Sequence, residues 1–456
     1  MNRDAILNAA VDEQAPLICK TAEVIWKHPE TGFKEWKTSA YLEQIFTDLG
    51  YELVKPEGIP GFYTDLDTGR PGPKLCLMGE LDSLICAEHP DCDPVTKAVH
   101  ACGHHAQAAG LVGAAAALKQ PGVLDGLCGS IRLMAVPAEE LIEVGYREQL
   151  RAEGKIEFFG GKVEFMRRGY FKDVDLCVLI HTFDDPGMKH VYQLARGNNG
   201  CIVKNITVHG LASHAGGSPD KGINALYAAM QALQAVNALR ETFRDDEHIR
   251  FHPIITEGGQ AVNAIPEEVK IESYVRGASL EAIDQANRRI NRAIAASVAA
   301  MGATVTLQDR PGYCPMHDDE AMNEVALTAM KRIVSEDEIL IQTHWGTGCT
   351  DMGDLSAVLP TIQPGSSGSV GAYHGKDFQI ADEDKAYVKP AKALVFIADE
   401  LLGNNAEKAN QIVAQFKPLY PSQKAYLEDA RRRFLDKEAV RMNADGTITL
   451  DFQNGE

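Results

Sequence analysis

Residues 201–210, 222–243, 250–259, 267–277, 279–301 and 303–310 read CIVKNITVHG, GINALYAAMQALQAVNALRETF, RFHPIITEGG, EEVKIESYVRG, SLEAIDQANRRINRAIAASVAAM and ATVTLQDR. The first alternates like a half-exposed strand, and the second and fifth repeat apolar residues at helical spacing. The other three again read as strands. The order β-α-β-β-α-β is the split arrangement of a ferredoxin-like module. It predicts a separate domain over residues 196–310, inserted into a larger α/β domain made of residues 1–195 and 311–456.

In the flanking sequence, KLCLMGEL from Lys74, SIRLMAVP from Ser130 and DLCVLIHT from Asp175 read as buried strands. The small-residue helix AAGLVGAAAAL lies between the first two. Strand, helix, strand in that order predicts an α/β layer with a largely parallel sheet. Ligands collect at the carboxyl ends of such strands, so the polar residues that follow them are the candidates. Upstream, TSAYLEQIFTDLGY places Tyr41, Leu42, Ile45, Phe46 and Leu49 on one helical face, with Thr38 or Ser39 as cap and Gly50 as stop. The C-terminal segment carries helical patterns, then a turn at Ala444-Asp445-Gly446 and a short strand, TITLDF.

Composition narrows the function classes. At about 150 residues per domain, 456 residues make three domains or two larger ones. The hydrophobic and charged fractions, 45% and 24%, are those of a soluble globular protein. No apolar run approaches the ~20 residues of a membrane span. The net charge of -19 argues against nucleic acid or anionic membrane as partner, since both need a basic face. The N-terminus, MNRDAILNAAVDE, has charges on both sides of a short apolar run, unlike a secretory signal, and the expected location is the cytoplasm. The ten cysteines show no regular spacing; Cys19, Cys76, Cys86, Cys128, Cys177, Cys201 and Cys314 are expected to be reduced, partly buried thiols.

Four stretches hold metal-type residues. HACGHH, His100 to His105, sets Cys102 and His104 two apart in a Gly-containing loop before a helix, where thiolate and imidazole can meet one ion. AVPAEE places Glu139 and Glu140 directly after a strand, so that one can bind metal while the other faces a bound water. His181 ends the strand DLCVLIHT, and His374 lies in SSGSVGAYHGKDF, where small residues let the backbone approach closely. Taken singly these are a polar loop, a solvated helix N-terminus, a structural histidine and a surface turn. Together Cys102, His104, Glu140, His181 and His374 make a ligand set that suits two divalent ions, Zn, Mn or Co, with Glu139 as general base.

These residues carry a resemblance. GELDSL, HACGHH, PAEE, the strand-end His181, GLASHAGGSP, GGQAVNAIPEEV and YHGKDF occur in the order of the aminoacylase–carboxypeptidase superfamily of dimetal hydrolases. The chain is most similar to its aminobenzoyl-glutamate hydrolase and auxin-conjugate amidohydrolase branch, to which IWKHPETGFKE and TDMGDLS also correspond. The resemblance implies a zinc-peptidase-like α/β/α catalytic domain with the ferredoxin-like insertion as lid and dimerisation domain. It implies metal ligands at Cys102, His104, Glu140, His181 and His374, with Glu139 as base. Asp82 would orient a ligand, His214 of the lid would contact the scissile carbonyl oxygen, and Asn263 and Arg276 would handle the substrate's carboxylate end. Two positions depart from the branch: His105 replaces the usual Asp or Asn, and Gln107 a further His. His105 is read as a donor behind the ligands, a rival ligand or a substrate contact.

The expectation is a metal-dependent amidohydrolase that cleaves N-acyl or N-aroyl amino acids and pairs with a second copy, or assembles further, through its lid. A dipeptidase is the alternative within the same chemistry. A non-catalytic metal or thiol protein, with Cys102 as redox sensor, is the alternative from another class. Glu139 separates the last from the others, because a binding protein needs no additional carboxylate beside its ligands.

Overall fold

The computed structural model describes residues 2–452. The chain forms two compact units. The first takes the residues up to Gly197 with His317–Gly346 and Asp354–Gln423; the second takes Asn198–Met316, Thr347–Gly353 and the chain from Lys424.

In the first unit, β1 (Phe62–Arg70), β2 (Lys74–Glu80), β3 (Gly129–Val136), β4 (Leu176–Leu179) and the short strand Thr361–Ile362 form one sheet in the order β1-β3-β2-β4-Thr361–Ile362. β1 is antiparallel to β3 and the remaining pairings are parallel. β2, β3 and β4 are near-continuous apolar runs, which is what strands covered on both faces require. Their register pairs Glu80 with Val136 and Met78 with Leu179, so the carboxyl ends of β2, β3 and β4 finish side by side.

Two helices pack in the core with this sheet. α1 (Trp36–Asp48) buries Leu42 and Phe46 and gives way at Gly50, whose φ is 77°. Its cap differs from expectation. Thr38 and Ser39 lie inside the helix, and the Glu30 carboxylate accepts the Lys37 and Thr38 N–H groups at 3.0 and 2.9 Å. A residue outside the helix thus satisfies the first-turn donors that a cap would otherwise take. α2 (His104–Leu118) begins on the CGH loop and is buried along its whole length. Its small residues lie against β2: a Cβ at Gly79 would come within 3.2 Å of the Gln107 carbonyl oxygen.

The second unit carries the β-α-β-β-α-β order: β5 (Gly200–His209), α3 (Ala225–Ala238), β6 (Ile254–Glu257), β7 (Glu268–Gly277), α4 (Leu280–Ala300) and β8 (Thr304–Pro311). β6 pairs β7, β7 pairs β5 and β5 pairs β8, all antiparallel. Both helices pack on this sheet, through residues such as Ala229, Val236, Ile290 and Ile294 over Ile206 and Ile271. Within this core the Lys204 amine donates to Asn291 (2.7 Å) and to Asp309, whose second oxygen accepts from Asn287 at 2.7 Å.

The C-terminal chain departs from expectation. β9 (Leu435–Met442) extends the sheet along β8, and β10 (Ile448–Leu450) folds back on it across the expected turn. Residues from Lys424 therefore belong with the second unit and not with the catalytic domain expected to include all of 311–456. The charged run LDKEAVRM has no strand alternation of its own; the free edge of β8 supplies the hydrogen bonds that make it a strand. Among the described residues no helix is long and apolar enough to cross a membrane. None of the ten cysteines is in a disulfide.

Candidate metal centre

The site is built on the first unit, where three neighbouring strand ends and two loops converge. β2 delivers Glu80 and Asp82, β3 delivers Glu139 and Glu140, and β4 runs on into His181. Gly103 (φ 82°) stands so close to β4's continuation that a Cβ would lie 2.3 Å from Thr182 Oγ1. Thr182 Oγ1 in turn donates to the Cys102 carbonyl at 3.2 Å. Docking the CGH loop there puts Cys102 Sγ 3.7 Å from His181 Nε2. His181 Nδ1 is held by the Thr182 carbonyl oxygen at 2.7 Å, which fixes the ring. His374, at φ 61°, donates its backbone N–H to Ala101 O (2.9 Å), and its Nε2 lies 3.2 Å from Glu140 Oε1.

Asp82 orients two candidate ligands at once. Its Oδ1 is 3.1 Å from His104 Nδ1, and its Oδ2 accepts the Glu140 N–H at 2.8 Å. A histidine held at Nδ1 offers Nε2 outward, the arrangement that orients metal-binding imidazoles. Glu80 Oε2 is 3.2 Å from that Nε2 and Glu139 Oε2 3.9 Å.

Three sets of ligand atoms lie close enough to hold an ion: Cys102 with His104 and His181, Cys102 with Glu140 and His374, and Glu80 with His104 and Glu139. Cys102 is common to the first two, as a thiolate shared between two ions would be. His104 Nε2 and Glu140 Oε1 are buried without a hydrogen-bond partner, their contacts with Glu80 and His374 being ion contacts only. Buried polar atoms left so are costly, and a cation would satisfy both.

The electrostatics agree. Burial and Glu140 push the Cys102 thiol up, yet His104 and His181 outweigh them and bring it down to about 6. Burial raises Glu140, but His374 and His104 hold it at about 2. Burial works against a charged His374, but Cys102 and Glu140 raise it to about 10. The anionic groups demand positive charge, which protonated histidines supply in the protein alone and divalent ions would supply in their place.

Cys102, His104, Glu139, Glu140, His181, His374 and Asp82 are thus brought together. His105 is not. It is fully buried, its Nε2 lies 3.4 Å from the Tyr387 hydroxyl, and its ring stands edge-on to Trp26 at 4.8 Å. Successive helical residues point about 100° apart, so with His104 facing the ligands His105 faces the core. Burial, then His104, pushes it down to about 3, leaving it neutral. The readings of His105 as a donor behind the ligands, a rival ligand or a substrate contact therefore lose their geometric basis.

The other candidates lie on the second unit. His214 is exposed, with Nδ1 accepting the Gly216 and Gly217 N–H groups at 3.1 and 2.8 Å. It bridges to Ala264, and the Ala215 N–H donates to Asn263 O, so His214 and Asn263 are neighbours. Arg276 ends β7, its guanidinium 5.3 Å from the Tyr274 ring centre. At ~3.3 Å per residue, Glu268 and Arg276 stand about 26 Å apart along β7, and Asn263 lies in the loop before Glu268, beside His214. Asn263 and Arg276 of one copy therefore cannot grip the same carboxylate.

Sequence reading passed over Glu80. Its carboxylate takes the Lys162 amine and, at 2.9 Å, the Gln107 amide, and all three are buried. Burial raises it, but Lys162 and His104 bring it down to about 2. Gln107 was a signal for it: where the resemblance implies a further histidine in many members, this chain has an amide, which donates to Glu80.

Comparison with known proteins identifies similar chains. Residues 196–300 match the family described as peptidase dimerisation domain. The mouse Xaa-Arg dipeptidase is 26% identical over 373 residues, covering 78% of this chain and 77% of that protein. A p-aminobenzoyl-glutamate hydrolase subunit of Escherichia coli is 28% identical over 409 residues, covering 75% and 88%. A solved dinuclear-metal-binding peptidase of the M20 family from Bacillus subtilis shares the fold with a TM-score of 0.62 at 18% identity, covering 86% of this chain and 99% of that one. The inserted module thus matches a peptidase dimerisation domain, and over about three quarters of its length the chain is similar to hydrolases of amide bonds, with the fold of an M20 peptidase.

Proposed function

We propose that the chain hydrolyses N-acyl or N-aroyl amino acids to an acid and an amino acid. Cys102, His104, Glu140, His181 and His374 would hold two divalent ions, Zn, Mn or Co, and Glu139 would act as general base. One observation carries this reading. Glu139 adjoins the candidate ligand Glu140, lies outside both sets that share Cys102, and has Oε2 3.9 Å from His104 Nε2. Glu80, which could compete for that place, is engaged by Lys162 and Gln107.

When bound, the ions activate water at neutral pH and polarise the scissile carbonyl. Glu139 takes the proton of the attacking water and returns it to the departing amine nitrogen. Asp82 keeps His104 and Glu140 in register. From the second unit, His214 is assigned the carbonyl oxygen, Asn263 a place beside it and Arg276 the substrate carboxylate, on the strength of the resemblance. Arg276 stands opposite Arg250 in the sheet, and both lie near His252, an electropositive end on an acidic chain. The separation of Asn263 from Arg276 is met if His214 and Asn263 serve a neighbouring copy.

We further propose that copies pair through the second unit and that the protein works in the cytoplasm, where ten cysteines outside any disulfide stay reduced. A dipeptidase remains the second reading because of the likeness to the Xaa-Arg dipeptidase. Screening purified Mn-, Zn- or Co-loaded protein on N-acyl amino acids, N-aroyl amino acids and dipeptides tests both. Turnover confined to substrates with a free α-amine on the acyl side would favour the dipeptidase. Absence of turnover across the panel would overturn the proposal.

A further inference from the structure

The turn that carries Glu139 and Glu140 is not self-supporting. Ala138 within it has φ 58°, a left-handed conformation that an alanine adopts only when its surroundings impose it. The imposing groups are a buried carboxyl and a buried guanidinium. The Ala138 N–H donates to Glu35 Oε1 at 2.7 Å. The Ala138 carbonyl oxygen accepts from Arg147 Nη1 at 3.4 Å and from the Gly161 N–H at 3.2 Å. Arg147 also donates to the carbonyl oxygens of Glu140 and Phe159. Glu35 is 0% and Arg147 1% exposed.

We propose that Glu35 and Arg147 are positioning residues for the hydrolytic reaction, clamping the Pro137–Glu140 turn so that base and metal ligand are presented together. Two arguments support it. Burying two ionisable side chains is expensive, and an apolar pair would fill the same space at less cost. Here the hydrogen bonds that both side chains make to other segments end on the backbone of this turn or, at Phe159, beside it. Second, the chain preceding α1 is shaped around the same clamp. A Cβ at Gly32 would lie 2.5 Å from Arg147 Nη2 and 3.0 Å from Ala138 Cα, while Thr31 and Lys34 both engage Glu143, just beyond the turn. The stretch PETGFKE, which the ligand set leaves without a role, is thereby accounted for: Gly32 makes room for the clamp and Glu35 is half of it. Neither Glu35 nor Arg147 belongs to any of the three ligand sets.

The inference rests on the reading of Glu139 as base and Glu140 as ligand. Its test compares Glu35→Gln, which keeps an oxygen at the same reach, with Glu35→Asp, which withdraws it by one methylene. Two quantities are measured: steady-state kinetics on the best amide of the panel, and Co(II) or Mn(II) affinity without substrate. Glu35→Asp is expected to lower kcat about 10-fold or more with KM nearly unchanged, since misplacing reacting groups by an ångström can cost ~100-fold. Its metal affinity should fall about 10-fold, the scale for lost supporting contacts around a metal site. Glu35→Gln should restore both. Leu42→Ala, a core change in α1, serves as the control that lowers the melting temperature while leaving kcat of the folded protein in place. If Glu35→Asp does not fold, Arg147→Lys keeps the cation and loses the fork, and the same losses are expected. Unchanged kcat and metal affinity in the folded variant, or Glu35→Gln as impaired as Glu35→Asp, overturns the clamp. A protein inactive on every amide that still shows the metal shift would overturn the proposed function and leave the clamp standing.

Discussion

Cys102 is the residue on which the two ligand sets meet, and its thiol is tuned for that position. In the metal-free protein it should be alkylated with a midpoint near pH 6, well below an ordinary thiol, because His104 and His181 favour the thiolate. Cys102→Ala is expected to lose bound metal and activity together, since a methyl group donates nothing; two ions retained with near-normal turnover would remove Cys102 from the ligand set. The neighbouring glutamates should separate by role. Glu139→Gln should keep its metal and lose roughly 100-fold or more in kcat, the scale of an absent general base. Glu140→Gln should lose metal, and the reverse pattern in metal analysis would exchange the two assignments. Arg276 is tested by substrate charge. Arg276→Ala should penalise N-acyl amino acids over the matching carboxamides by ~1.5–3 kcal/mol in kcat/KM, the value of a hydrogen bond to a charged group. Equal effects on both substrates would detach it from the carboxylate.

Among the elements, β6 and the short strand Arg250–Phe251 form one edge of the second unit's sheet, while β9 and β10 cover the other. All four residues of β6 are exposed, with Ile254 at 62% and Ile255 at 40%. On α3, Tyr227 and Met230 are also more than half exposed. An apolar edge strand left in water invites pairing with another chain, and the proposed pairing of copies through the second unit is tested at this edge. Ile255→Lys is expected to shift the protein towards monomer in light scattering while its metal content is maintained. An unchanged mass would place the association elsewhere or show that there is none.

For the molecule as a whole, pH acts on stability through Asp318. Burial raises its carboxyl to about 7, against which the Gln363 N–H at 2.7 Å works only partly. The folded state therefore keeps a proton that the unfolded chain releases near pH 4. Between those values the unfolded state binds fewer protons, so this contribution to stability is present at low pH and is lost as pH rises towards 7. Asp318→Asn keeps an oxygen for Gln363 and cannot ionise. It should be more stable than the parent at pH 8, by at most ~4 kcal/mol for a shift of about three units, and close to it at pH 4. Equal urea midpoints for both proteins at both pH values would show that Asp318 ionises normally.

The two-module plan was legible before folding, because the period of the apolar residues changes from strand to helix and back along residues 201–310. Most of the ligand candidates were legible too: Glu139, Glu140 and His181 follow apolar runs whose carboxyl ends must coincide in a parallel sheet, and Cys102 and His104 crowd a Gly-containing loop before a helix. The remainder was decided by contacts between distant segments. Thr38 and Ser39 had the right chemistry for a cap, but Glu30 took that place. His105 had metal chemistry, but helix geometry turned it towards Trp26 and Tyr387 once His104 faced Asp82. Glu80 lay unremarked in a strand until Lys162 and Gln107 gathered round it. LDKEAVRM is a strand only because β8 has an edge to offer. Periodicity records which face of an element is buried; it does not record which partner buries it, and the partner decides the cap, the clamp and the edge.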